Sequence, residues 1–89
     1  MINIIKVSKA NCRPCAVLAN YLSEINFEAH NATLSEINIA DDPSVIEKYG
    51  LTSVPVLVYE RNGVEVHRIN GLASVEEIVE AIEFAKRAK

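Results

Sequence analysis

The chain has 89 residues, a hydrophobic fraction of 49% and a formal net charge of −3 at pH 7. This length suits one small domain, which we expect to cover residues 1–89, and the apolar fraction is sufficient for a hydrophobic core. Because the charge is mildly negative and no basic stripe is visible, the sequence argues against a nucleic-acid-binding protein.

The sequence also argues against a membrane protein. No segment reaches the roughly 18 apolar residues that a membrane-spanning helix needs. The N-terminus lacks a basic segment followed by an apolar segment and a cleavage site, so we expect no signal peptide and a reducing, cytoplasmic location. In such a compartment, two cysteines suggest catalysis or metal binding more than a structural cross-link.

The first elements are a strand and a helix. Residues 2–7 are apolar nearly throughout, which predicts a strand that is buried on both faces. Residues 12–25 are predicted to be helical, because apolar side chains recur at helical spacing. These side chains are Cys15, Leu18, Ala19, Leu22 and Ile25. Pro14 is compatible with the first turn of this helix, where its missing N–H would have no intrahelical partner.

A loop at residues 29–32 leads to a second predicted strand at residues 33–39. A short helix should follow, with Asp42 as its N-cap and Pro43 at its first position. Gly50 is the type of residue that ends such a helix in a left-handed conformation.

The last third of the chain predicts a hairpin and a helix. Two strands are expected at residues 54–61 and 64–69, joined by a type I′ turn at Asn62-Gly63. Ser74 and Glu77 have the spacing of a capping box, which predicts the start of the last helix. The order β-α-β-α-β-β-α, with its first two strands parallel, predicts an α/β fold: a four-stranded mixed sheet with helices on both faces.

The only two cysteines, Cys12 and Cys15, stand three positions apart in a Cys-x-x-Cys motif. They lie between the first predicted strand and the first helix, so Cys12 is expected at a helix N-terminus. Free backbone N–H groups and the helix dipole favour a thiolate there. Positions i and i+3 share a helix face, so Cys15 is placed to resolve a mixed disulfide formed at Cys12.

The element order and several short motifs resemble the thioredoxin family. After the Cys-x-x-Cys come Ile37-Asn38-Ile39, Asp42-Pro43, the segment from Tyr49 to Pro55, Asn62-Gly63 and Gly71-Leu72, in the order in which thioredoxins carry them. The resemblance covers nearly the whole chain and implies the thioredoxin fold. Because the chain starts one strand and one helix later than most thioredoxins, it is also similar to glutaredoxins and to small thioredoxins of some microbes and phages.

The resemblance implies a function and a site. It implies a protein-disulfide reductase with Cys12 as nucleophile and Cys15 as resolving cysteine. The expected cofactor is the redox-active disulfide itself, with no bound group, and electrons would come from NADPH through a thioredoxin reductase. The Val54–Pro55 bond should be cis, beside a groove that binds an extended substrate chain. The residues expected to bind substrate are Asn11, Ser53, Val54, Pro55, Gly71 and Leu72. We expect a monomer whose partners are disulfide-containing proteins.

Several positions depart from the family pattern. Asn11 stands where thioredoxins usually carry Trp, which removes an apolar wall for the substrate. Arg13 replaces the usual Gly, and a cation beside Cys12 should favour its thiolate. Arg13 and Pro14, the two residues between the cysteines, should help to set the redox potential.

A further departure concerns Lys6 and Glu36. Thioredoxins usually bury an Asp six residues before the first cysteine and have a Lys on the neighbouring strand, whereas here the order is reversed. We predict an ion pair beneath Cys15, in which Glu36 accepts or relays a proton. The alternative is that Lys6 extends to solvent and Glu36 is an ordinary surface residue.

Two other functions stay open from the sequence. Lys9 stands where glutaredoxins carry a lysine that helps bind glutathione, so glutathione is the alternative to the reductase. A Cys-x-x-Cys motif also binds thiophilic ions such as Cu(I). A closed zinc site would need two more ligands, and His30 and His67, the only histidines, are expected to face solvent. We therefore predict no metal site.

Overall fold

The computed structural model describes residues 1–88. Four β-strands and three α-helices follow one another in the predicted order. Their bounds are β1 Ile2–Ser8, α1 Arg13–Leu22, β2 Ala32–Asn38, α2 Ser44–Tyr49, β3 Val56–Arg61, β4 Val64–Asn70 and α3 Val75–Arg87. A single 3₁₀ turn, Glu28–His30, lies where a loop was expected.

The strands form one mixed sheet in the order β2-β1-β3-β4. β1 pairs in parallel with β2, and the other two pairings are antiparallel, which confirms the predicted fold class. The register of β1 and β2 sets Lys6 directly opposite Glu36. Since side chains alternate along a strand, Lys6 and Ser8 point to the same side of the sheet.

Helices cover both faces of the sheet. One core lies between the sheet and helices α1 and α3, and its fully buried large side chains are Ile2, Ile4, Leu18, Leu57, Tyr59, Ile78 and Ile82. The second core lies between the opposite face and α2, and consists of Val7, Val45, Tyr49, Val56 and Val58. The two central strands, β1 and β3, both contribute residues to the two cores, because side chains alternate along a strand.

The first helix is shorter than predicted. It ends at Leu22, because the amides of Glu24 and Ile25 bond to carbonyls three residues earlier and tighten the chain into a turn. Ile25 packs on the core from outside the helix, and Ala19 is exposed although it was assigned to the apolar face.

Other predicted boundaries also differ from the structure. β2, expected at residues 33–39, is Ala32–Asn38, and two further differences lie at β3 and α2. β3 begins at Val56 and not at Val54, since the intervening proline has no N–H for the strand ladder. The N-cap of α2 is Pro43, and Asp42 lies one residue before it, where it accepts a hydrogen bond from the Ser44 hydroxyl.

The predicted hairpin turn and the predicted capping box of the last helix both form. Asn62 and Gly63 both have positive φ, at 56° and 78°, as a type I′ hairpin requires. The Ser74 hydroxyl accepts a bond from the Glu77 amide, and the Glu77 carboxylate accepts one from the Ser74 amide. This capping box begins α3.

The hydroxyl of Tyr59 connects β3 to α3 through a hydrogen bond, and loss of this bond should measurably lower stability. Its side chain is fully buried and its hydroxyl donates a hydrogen bond of 3.0 Å to the Ile78 carbonyl. We expect Tyr59→Phe to lower the free energy of unfolding by about 1 kcal/mol, the usual net worth of such a bond. Urea unfolding measures the change. Tyr21→Phe, at a partly exposed tyrosine, is the control and should stay within about 0.5 kcal/mol of wild type. Equal effects of the two substitutions would contradict the role of the bond.

Candidate active site

The two cysteines lie where the chain passes from β1 into α1, and they form a disulfide with their Cα atoms 5.2 Å apart. Cys12 is the N-cap of α1 and is partly exposed, whereas Cys15 is buried with 4% of its surface accessible. The Cys15 amide donates a hydrogen bond of 3.2 Å to Cys12 Sγ. An amide at a helix N-terminus stabilises negative charge, so the more accessible sulfur is also the one better suited to be a thiolate.

The residues next to the cysteines in the chain are exposed, and the two that flank Cys12 are polar. Asn11 has a φ of 55°, a left-handed conformation that Asn tolerates better than most residues, and it turns the chain toward α1. Arg13 and Pro14 are exposed in the first turn of the helix. Cys12 is therefore flanked in sequence by the polar residues Asn11 and Arg13, and no aromatic side chain stands next to it in the chain.

A cleft of about 540 Å³ opens beside the disulfide. Its lining consists of Lys6, Ser8, Lys9, Asn11, Cys12, Arg13, Cys15, Ala16, Glu36 and Asn38. The fold thus brings both cysteines together with five other residues that the sequence singled out: Lys6, Lys9, Asn11, Arg13 and Glu36. Ser8 and Asn38 were missed, although the position of Ser8 two residues after Lys6 on one strand face was a usable signal.

Lys6 and Glu36 form an ion pair in this cleft, with Lys6 Nζ 3.0 Å from Glu36 Oε2. The Lys6 side chain is 6% exposed and that of Glu36 is 56% exposed. Lys6 therefore does not extend freely to solvent, while Glu36 does lie at the surface. The Ser8 hydroxyl donates to the same carboxylate oxygen at 3.0 Å. The hydrogen bond from Lys6, and then that from Ser8, hold the pKa of Glu36 below its usual value, so the carboxylate is ionised at neutral pH.

The Val54–Pro55 peptide bond is cis, the conformation that the resemblance implied. Pro55 is buried, and its carbonyl accepts a 2.8 Å hydrogen bond from the amide of Gly71. This bond holds the Gly71-Leu72 segment against the proline. Gly71 has a φ of 84°, which favours glycine, and the side chain of Leu72 is 49% exposed.

A second groove, of about 210 Å³, lies beside Val54. Its lining consists of Lys9, Ile39, Ile46, Leu51, Thr52, Ser53 and Val54. Four of these side chains are apolar, and Lys9 lines both this groove and the cleft at the disulfide. Of the predicted substrate-binding residues, Asn11 lines the cleft and Ser53 and Val54 line the groove, and the two surfaces share Lys9. Pro55, Gly71 and Leu72 line neither surface.

The histidines are less exposed than predicted. The ring of His67 packs between those of Tyr59 and Phe84, at centroid distances of 5.6 and 5.0 Å. His30 is partly buried, with Nδ1 3.9 Å from Glu83 Oε2. Among residues 1–88, no three His, Cys, Asp or Glu side chains are grouped to hold a metal ion.

No helix within the described part of the chain combines the length and apolar character needed to cross a membrane.

Comparisons with known proteins agree with this geometry. The family described as "Glutaredoxin-like domain (DUF836)" matches residues 3–83. A thioredoxin of Chlamydia caviae is 32% identical over 71 residues, which are 80% of this chain and 70% of that protein. The SPbeta prophage-derived thioredoxin-like protein YosR of Bacillus subtilis is 30% identical over 69 residues, 76% of this chain and 80% of that protein.

Solved structures show the same fold at low sequence identity. Fasciola hepatica thioredoxin has a TM-score of 0.82 and 21% identity, with 94% of this chain and 80% of that one covered. Thioredoxin-2, described as a component of the malaria parasite protein secretion machinery, has a TM-score of 0.83 and 13% identity, with 94% and 82% covered.

Proposed function

We propose that this chain, which belongs to the thioredoxin family and is a thiol–disulfide redox protein, reduces disulfide bonds in other proteins. The observation that carries the proposal is the arrangement of the two sulfurs. Cys12 is accessible and accepts a hydrogen bond from a helix N-terminal amide, whereas Cys15 is buried behind it. This asymmetry supports different roles for the two cysteines.

The reaction has two exchange steps. The Cys12 thiolate attacks one sulfur of the substrate disulfide, which forms a mixed disulfide and releases the other substrate sulfur as a thiolate. Cys15 then loses its proton and attacks Cys12 Sγ, which forms the Cys12–Cys15 disulfide and releases the second substrate thiolate. Two electrons pass from the protein to the substrate, and the oxidised protein must be reduced again.

The groove beside Val54 is the proposed binding surface for the substrate chain. Pro55 and Gly71 are joined by a hydrogen bond, and Ser53 and Val54 line the apolar groove next to them. An extended peptide is proposed to pair with the backbone next to Pro55, as in strand-addition binding. Leu72, which is half exposed, and Asn11, at the edge of the cleft, complete the proposed contact surface.

The residues around the cysteines are proposed to tune their reactivity. Arg13 adds an exposed cation beside Cys12, and Pro14 occupies the first turn of the helix with it. The Lys6–Glu36 pair lies in the same cleft as both sulfurs. Since Glu36 is ionised at neutral pH and half exposed, it is the candidate to accept or relay the Cys15 proton during the second step.

The electrons are proposed to come from NADPH through a thioredoxin reductase, in the cytoplasm and with the protein acting as a monomer. The thioredoxin relatives support this route. Glutathione is the second candidate reductant, because a glutaredoxin-like family matches the chain and Lys9 lies in both surfaces beside the disulfide.

An insulin reduction assay tests the function and separates the two reductants. We expect turnover with NADPH and a thioredoxin reductase, and little or none with glutathione, glutathione reductase and NADPH. A reaction without this protein measures the background rate of each system. Activity only with glutathione would assign the chain to a glutaredoxin-like role, and activity with neither would contradict the reductase proposal.

A further inference from the structure

The charges of the protein are unevenly distributed. The chain carries nine basic and twelve acidic residues. Three of the basic residues but only one of the acidic residues line the cleft beside the disulfide. A protein with a net negative charge therefore has a locally positive surface at its reactive sulfurs.

Two of these cations have no counter-ion among the residues that the structure describes. Lys6 is buried and paired with Glu36, so its charge is largely balanced. Lys9 and Arg13 are exposed, and neither forms an ion pair with any residue in the range 1–88. They lie on the two sides of Cys12 in the sequence, three residues before it and one after it.

We propose that this cleft binds a carboxylate side chain of the substrate, so that the protein prefers disulfides flanked by Asp or Glu. The inference rests on the proposed function, since it concerns the substrate of the same reaction. Lys9 and Arg13 are the specificity-determining residues, and the polar side chains of Asn11 and Asn38 line the cleft around them. Carboxylates are the anions that a peptide segment carries, and a peptide is the substrate that the adjoining groove would hold.

For a group bound beside Cys12, the nearby positive charges of Lys9 and Arg13 outweigh the net negative charge of the whole protein. Salt screens exposed charges beyond about 8–10 Å at physiological ionic strength, so acidic residues elsewhere on the surface act only weakly on a group bound beside Cys12. A basic flanking residue would instead meet Lys9 and Arg13 at close range, and like charges repel. The preference should therefore weaken as the salt concentration rises.

Peptide disulfides of matched sequence test the proposal. Three peptides with one internal disulfide each would carry two glutamates, two glutamines or two lysines next to one cysteine. The reduced protein is mixed with each peptide in a single-turnover reaction, so no reductase is involved. Each rate is divided by that of the same peptide with dithiothreitol, a reductant that reacts as a thiolate and has no other charged group, which removes differences in intrinsic reactivity.

We expect the normalised rate for the glutamate peptide to exceed that for the lysine peptide by about tenfold at low salt, as two exposed charge contacts would allow. The double substitution Lys9→Gln and Arg13→Gln should bring this ratio close to one. The matched control removes the same number of charges at Lys48 and Arg87, which line neither surface, and should keep the ratio.

The outcomes separate the specificity from the function. Suppose that the wild type reduces the glutamine peptide. A glutamate-to-lysine rate ratio near one in the wild type, or a ratio that the double substitution leaves unchanged, would then contradict the specificity alone. Failure of the wild type to reduce the glutamine peptide would overturn the proposed function, and the specificity with it.

Discussion

The substitution Cys12→Ser is expected to reduce disulfide exchange to the uncatalysed rate, whereas Cys15→Ser is expected to stop the reaction at a stable mixed disulfide. The reason is the asymmetry of the pair. Cys12 is accessible and its sulfur accepts the Cys15 amide hydrogen bond, while Cys15 is buried. A serine hydroxyl at position 12 cannot replace the thiolate nucleophile, and a serine at position 15 cannot attack the mixed disulfide.

Each variant is the control for the other, because both remove one thiol and leave one. Non-reducing electrophoresis and intact-mass measurement would detect the adduct, and a reductant should release it. Adduct formation by Cys12→Ser but not by Cys15→Ser would reverse the assigned roles. Equal trapping by both would contradict the idea that burial distinguishes them.

The substitution Glu36→Gln is expected to slow the release of the mixed disulfide by about tenfold at neutral pH. General-base assistance is typically worth about 10²–10⁴-fold, and we expect less here because Glu36 is half exposed and water can partly replace it. The lowered pKa of Glu36 also makes the expected effect smaller, because the ionised carboxylate is then a weak base. The deficit should shrink at alkaline pH, where the thiol can lose its proton to solvent without help from a carboxylate.

Two variants serve as controls for this prediction. Glu36→Asp keeps a carboxylate and should recover part of the rate. Glu24→Gln removes an exposed carboxylate just beyond the C-terminus of α1 and should have no effect. Because pairing lowers the pKa of Glu36, its stabilising contribution is present above pH 4.5 and is lost as the pH falls further. Urea unfolding at pH 7 therefore shows how much of any defect is structural. An unchanged pH profile of the release step would contradict the relay.

The sequence predicted the elements and the reactive motif because both depend on local patterns. Helical and strand spacing, the Asn62-Gly63 turn and the Ser74–Glu77 capping box involve neighbours within a few residues, and they formed as expected. The exact boundaries were less predictable. β3 starts two residues late because a strand end depends on hydrogen bonds to another strand, and Pro55 cannot provide one.

The surroundings of the cysteines depended on contacts between distant parts of the chain. The sequence suggested that Lys6 and Glu36 could meet, but only the parallel register of β1 and β2 placed them opposite each other and added Ser8 to the pair. The hydrogen bond between Gly71 and Pro55 likewise joins residues far apart in sequence. Lys9 lines both the cleft and the groove because the fold brings distant segments together around it.

The sequence by itself therefore determined which sulfurs react, since a helix N-terminus and a three-residue spacing are local properties. The tertiary structure decided which sulfur is accessible and which charges face it. Burial and pairing are set by strand register and helix packing, and one residue of register shift would have placed Lys6 and Glu36 out of reach on opposite faces of the sheet.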